Sequence, residues 1–396
     1  MRISSFIPTC LLTACAALVP AQTFTLIHIF HGADGAEPGP LSQDSSGTLY
    51  GTTSFGGASG LGTVYKIEKK VPNKETVLHS FTGSADGQNP IGGVLLSSDG
   101  NLYGTADGGG ANGFGTAFRT TPAGSFNVVY NFPGGTQAAY PGILIAGANA
   151  LYGVAGGGAP FYGGMVYRLD SSGETDLYKF AGGADGNSPG SIVRDSAGNF
   201  YGTARGGDLY CGAPQGCGVI FKIDAKGAYS VLHIFVGPDG QYPSGVALDP
   251  AGNLFGTTVS GGAHNAGTVF ELTPSGQFTT LYSFTGGADG AQPQSGVVRD
   301  PGGNLYGTAY LGGTVTSQCY NSGCGVVFML SPTSAGPWKE TVLHSFTGPD
   351  GETPLAPLLL DPSQPALYGT TNRGGDFNCT ALNGGNSCGV VFKITR

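Results

Sequence analysis

The sequence predicts an all-β chain closed into a seven-bladed β-propeller, and three observations carry that expectation. One unit is written seven times, most plainly in hexamers ending at Phe30, Phe81, Phe132, Phe180, Phe235, Phe284 and Phe346. Their spacing of about 48 to 62 residues is that of propeller blades rather than helical solenoids. Each unit holds four short β-branched and aromatic segments with Gly, Asp or Asn between them, and no 3.6-residue periodicity appears. The register is also split, since the repeat begins with a fourth-type segment at 23–30 and stops at 393–396 just after a third-type one. A ring whose last blade takes the N-terminal strand as its outer strand fills both gaps, whereas a linear array leaves both open.

Within a unit the first strand follows a Pro, as at 93–96. A turn of the type Asp99-Gly100-Asn101 comes next, where Asp bonds its own backbone and Gly takes a positive φ. The second strand reads Leu-Tyr-Gly-Thr or a close variant, from Leu49, Leu102, Leu151, Phe200, Leu254, Leu305 and Leu367. The third reads Gly-x-Val-Phe-Lys-Ile or similar, from Gly62, Gly115, Gly164, Gly218, Gly267, Gly325 and Gly389. The hexamer is the fourth. Antiparallel order places the second-to-third links and the links from a fourth strand to the next blade on one face, here called face A.

Composition excludes other classes. Seventy-three Gly among 396 residues without a three-residue period rule out collagen, and 22 Phe with 18 Tyr bury more surface than a disordered tract can. A net charge of −8 with no run of Lys and Arg argues against nucleic acid. Arg2, an apolar stretch over 7–19 and Val19-Pro20-Ala21 read as a signal peptide over 1–21, which leaves one domain at 22–396. That stretch is too short for a transmembrane span. The expected location is secreted, periplasmic or cell surface; the competing reading takes Leu12-Thr13-Ala14-Cys15 as a lipobox and Cys15 as an acylated anchor. A monomer is expected.

The six remaining Cys form three local pairs, Cys211 with Cys217, Cys319 with Cys324 and Cys379 with Cys388, each inside one second-to-third link. An even count in an exported chain reads as disulfides. Zinc is the weaker reading, because the spacings are irregular and no His accompanies them.

Leu-Tyr-Gly-Thr-Thr-x-x-Gly-Gly, Gly-Thr-Val-Phe-Lys-Ile, Thr-Val-Leu-His-Ser-Phe and Gly-x-Asp-Gly-x-x-Pro together resemble the GloVer tandem-repeat proteins of bacteria, across essentially all of 22–396. That resemblance implies an exported or surface-displayed repeat protein and brings no catalytic residues with it. A fainter similarity, confined to the Asp-x-x-Gly-Asn-Leu turn and strand, links the chain to seven-bladed propellers of the streptogramin lyase type. It is architectural and carries no lyase assignment.

A residue that recurs in most blades holds blades together; chemistry needs a few groups in one place. His28, His79, His233 and His344 share a position with Tyr130, Tyr178 and Tyr282, which reads as a ring packed on the outer strand. Asp34, Asp86, Asp185, Asp239, Asp289 and Asp350 read as turn residues, with calcium the weaker alternative because each loop supplies one carboxylate. The departures from the repeat crowd face A. Arg205 and Asp208 in unit four echo Arg373 and Asp376 in unit seven, a set suited to carboxylates or sugar hydroxyls. Tyr210 and Tyr310 offer stacking surfaces, and His264 is the His of a second-to-third link. The bland reading is that these Arg-Asp pairs only brace loops. No nucleophile elbow, phosphate loop or His-based metal motif is present, so no cofactor and no metal are expected. The favoured function is binding a glycan or protein ligand on face A. The alternative is an extracellular polysaccharide lyase or hydrolase, with Arg205 or Arg373 neutralising a substrate carboxylate and His264 or a Tyr as acid or base.

Overall fold

The computed structural model describes residues 22–69, 73–157, 163–206, 216–319, 322–334, 336–379 and 387–396. The signal-peptide segment with Cys15, together with Asp208, Tyr210 and Cys211, lies outside them. The described residues form strands and turns, with no helix among them, and the strands fall into seven antiparallel sheets. These are the blades of a propeller. The fifth, for example, runs Gln241–Leu248, Leu254–Ser260, Thr268–Leu272 and Phe278–Ser283, in chain order from the axis outward. The seventh is completed from the other end of the chain. Thr23–Ile29 pairs with Val390–Thr395, from Thr23 opposite Thr395 to Ile29 opposite Val390. Closure by the split blade is thus observed as the register required.

A four-stranded sheet has no core of its own, so the apolar residues meet between blades. The hexamer Phe of each blade packs edge-on against an aromatic ring of the next blade's third strand, as in Phe81 on Phe118, Phe235 on Phe270 and Phe346 on Phe392, with centroids 5.3 to 5.4 Å apart. All seven hexamer Phe residues are buried. Each such side chain contributes about 2 to 3 kcal/mol of transfer free energy. The Gly of Leu-Tyr-Gly-Thr exists for this ring. A Cβ on Gly202 would lie 2.6 Å from Cζ of Phe221, where no real Cβ fits.

Farther out, a second layer of contacts links neighbouring outer strands. In six of the seven units the repeated His or Tyr donates to, or shares a proton with, the Asp of the following loop, from His344 to Asp350 at 2.8 Å to Tyr178 to Asp185 at 3.0 Å; Tyr130 donates to Glu174 instead. Its ring then meets the residue just before the next blade's hexamer. At four junctions this is a stacked aromatic: Phe24 on His344, Phe126 on His79, Tyr229 on Tyr178 and Phe278 on His233, at 3.6 to 3.9 Å. At the other three it is Glu75, Glu174 or Glu340, beside His28, Tyr130 or Tyr282.

Glu340 makes that layer sensitive to pH. Its Oε1 is buried without a hydrogen-bond partner, and burial, with Asp289 nearby, pushes its carboxyl up to about 7. The folded chain therefore keeps a proton that the unfolded chain releases between pH 4.5 and 7, so this contribution to stability is complete below about 4.5 and lost as pH rises through 7. Glu340→Gln is expected to melt about 1 to 2 °C above the parent at pH 8, a gain that shrinks toward zero at pH 4.5. Calorimetric melts of both proteins across that range check it; a pH-independent difference would contradict the burial argument. Taking the difference removes the other titrating groups.

Two of the expected disulfides are formed, Cys319 to Cys324 and Cys379 to Cys388, with Cα atoms 4.9 and 5.8 Å apart. Both close second-to-third links on face A.

Candidate functional site

The inner strands surround an axial cavity of about 810 Å³ to which all seven blades contribute. Its wall is apolar, with Ile91, Ile143, Ile192, Val246, Val297 and Leu355 among the lining residues. Ser191, Ser244, Gln294 and Ser295 interrupt that wall, and a further polar set lies toward face A, where the inner strands begin and the second strands end. Glu37 and Asn89 come from the first set of positions; Ser54, Asp107, Arg205 and Asn372 come from the second.

The first set has an unusual backbone. In every blade the residue before the repeated Pro is left-handed: Glu37, Asn89, Tyr140, Ser188, Tyr242, Gln292 and Thr353 have φ between 50° and 57°. Of these only Asn tolerates that region well, and each of the others costs about 1 to 3 kcal/mol of local strain. An inter-blade bond holds the conformation. Each N–H donates to the carbonyl just before the third-strand Gly of the preceding blade, as Ser188 to Gly163 at 2.7 Å, Tyr242 to Cys217 at 2.7 Å and, across the ring closure, Glu37 to Cys388 at 3.0 Å. A frame common to seven blades therefore carries residues of six types, of which Glu37 and Asn89 line the cavity while Thr353 is buried. The sequence does carry a signal for it, since the Pro recurs while the residue before it changes in nearly every unit.

Arg205 is exposed at this opening and makes no ion pair with any described residue. Asp107 lines the same cavity, and burial pushes its carboxyl above the usual range. The echo between Arg205 and Arg373 is displaced by one residue in the structure. Gly206 lies opposite Asn187, and Arg373 opposite Glu352, so Arg373 stands in the place of Gly206, and Asn372 in that of Arg205. Side chains alternate along a strand, so a one-residue offset turns the two guanidinium groups to opposite sides. Tyr310 shares the register of Arg205 and is half-buried.

Asp376 does not pair with Arg373. Its Oδ2 lies 2.8 Å from Nδ1 of His31, and this hydrogen bond holds its carboxyl below the usual range. His264 is exposed in the link of the fifth blade and does not line the cavity. Of the expected set, then, the structure brings Arg205 together with Glu37, Asn89, Asp107 and Asn372, which sequence reasoning had not singled out. Among the described lining residues there is no His, Cys or Lys.

The model of the Gloeobacter/Verrucomicrobia repeat matches residues 16–213 and again 209–396. No curated protein matches the sequence. Among solved structures, selenomethionine-substituted virginiamycin B lyase from Staphylococcus aureus is 14% identical with a TM-score of 0.59, over 95% of this chain and 100% of that one. A catalytically inactive variant of the same enzyme with quinupristin is 15% identical with a TM-score of 0.61, over the same shares. The extracellular domain of the one-component system BT4673 from B. thetaiotaomicron is 11% identical with a TM-score of 0.56, over 93% of this chain and 39% of that one. At such identities the likeness is one of fold.

Proposed function

The chain belongs to the Gloeobacter/Verrucomicrobia repeat family, and on that premise we propose that it is an exported, non-catalytic binding propeller that captures carboxylate-bearing oligosaccharides at the face A opening. The observation that carries this reading is Arg205, exposed at a cavity mouth whose other polar groups are amides, hydroxyls and carboxylates. A guanidinium can hold a sugar carboxylate in a two-pronged hydrogen bond, and the amides and hydroxyls match sugar hydroxyls. Tyr140, in the same left-handed position as Glu37 and Asn89 and about half exposed, offers a flat surface on which a pyranose face would pack. Export is supported by the two disulfides, which persist in oxidising compartments.

Binding to arrays of neutral and uronic-acid oligosaccharides tests the proposal. Arg205→Ala is expected to weaken uronic-acid binding about 10- to 100-fold, with the melting temperature nearly unchanged because the residue is exposed. Arg205→Lys should recover part of the loss, since an ammonium restores charge without the planar fork. His79→Tyr, which installs the ring used at sister positions, serves as the control and should bind as the parent does. Unchanged affinity in Arg205→Ala would sink this reading. Cleavage of the same sugars by the parent would favour a polysaccharide lyase or hydrolase instead.

A further inference from the structure

The outer layer of blade-to-blade contacts follows a pairing rule with one exception. Where the ring position is His, the facing residue is Phe, as at His79, His233 and His344; where the facing residue is Glu, the ring is Tyr, as at Glu174 and Glu340. Only between the seventh and first blades do a His and a Glu meet. There His28 of the closing strand Thr23–Ile29 faces Glu75 of the outer strand Lys74–Ser80, with Asp34 of the connecting loop between them.

We propose that His28, Asp34 and Glu75 form a Zn²⁺ site that clips the ring-closing strand to the first blade. One ligand atom from each residue lies within 4.8 Å of the other two, the one such group of three among the described residues. Nε2 of His28 and Oδ2 of Asp34 are already 2.9 Å apart. Tetrahedral zinc with bonds of about 2.0 to 2.1 Å needs roughly 3.3 Å between neighbouring ligand atoms, so a small outward shift of the pair admits the ion.

A second observation is independent of that distance. Oε1 of Glu75 is buried and has no hydrogen-bond partner, and among the described residues neither carboxylate pairs with Lys or Arg. With a neutral imidazole, the two half-buried carboxylates balance the two positive charges of the ion. The imidazole nitrogen selects zinc over calcium or magnesium, which take oxygen ligands. Asp34 is also oriented from behind, because its Oδ1 accepts the backbone N–H of His31 at 2.8 Å. Three protein ligands leave one tetrahedral position for water. The sequence offered no such site, since no short motif contains these three residues.

Titration calorimetry of the EDTA-treated full chain with Zn²⁺ alone at pH 7.5, paired with Co²⁺ absorption spectra, tests the assignment. The parent is expected to bind about one ion per chain, show cobalt d–d bands and melt at a higher temperature with the metal. His28→Tyr recreates the Tyr–Glu pairing of the sister junctions and so keeps the fold; it and Glu75→Gln should each weaken binding more than about tenfold and abolish the bands. His233→Tyr, which breaks a His–Asp pair that has no Glu, should bind like the parent. Absence of saturable binding in the parent, or equal binding in parent and His28→Tyr, would overturn the site. Loss of binding in His31→Ala with His28→Tyr unaffected would do so as well, placing the ion at the exposed His31–Asp376 pair.

Discussion

Deleting residues 23–29 is expected to unfold the ring rather than merely loosen it. The deletion strips the outer edge from Val390–Thr395 and removes Phe24 from its stack on His344 and its contact with Phe392. It also removes Ile27 and Ile29 from the cores on either side of the seam. Three partly buried apolar side chains and a ladder of backbone hydrogen bonds together amount to roughly 10 kcal/mol. That is the size of a typical domain's whole net stability, about 5 to 15 kcal/mol. The truncated chain should show no cooperative melt near the parent's transition and should elute as expanded or aggregated material. Adding a synthetic peptide of residues 23–30 should restore the melt. A truncated chain that melts as the parent does would mean that the closing strand bears no weight.

The second large effect is expected at the Gly that opens each third strand. All seven have positive φ, from 86° to 103°, outside even the small left-handed region open to other residues. At Gly267 an added Cβ would lie 2.4 Å from the carbonyl oxygen of Thr258 and 2.7 Å from Cδ of Pro293 in the next blade. Gly267→Ala should therefore cost about 2 to 6 kcal/mol, the sum of backbone strain and overpacking. Gly276→Ala separates the two terms. That residue also has a positive φ, 85°, but a Cβ there would meet nothing within 4 Å, so strain alone should cost about 1 to 3 kcal/mol. Denaturant midpoints for both variants measure the difference. Equal losses would show that the Gly-to-Pro contact between blades adds nothing.

The same contact explains how much of the molecule could be read in advance. Leu-Tyr-Gly-Thr carries its own strand propensity and the Gly that a neighbouring aromatic ring requires; Asp99-Gly100-Asn101 carries its own turn. Such signals are local, and repetition seven times over lifts them above noise. Strand number, closure by the split blade and the Cys319–Cys324 and Cys379–Cys388 pairs were therefore legible. Of the candidate site, Arg205 was found as a departure from the repeat.

Its setting was not legible. Aligning Arg205-Gly206-Gly207-Asp208 with Arg373-Gly374-Gly375-Asp376 matched letters, whereas the sheet matches Arg205 with Asn372, because register is decided by the strand across the ladder. The left-handed ring at Glu37 and its six counterparts depends on an N–H reaching a carbonyl of the preceding blade. The meeting of His28 with Glu75 depends on ring closure, which brings the outer strand of one blade against that of another. By itself the sequence determined the blades, since local pattern and turn chemistry suffice for them. Only the tertiary structure decided which side chains face one another, since that is set by ladder register and packing between residues far apart in the chain.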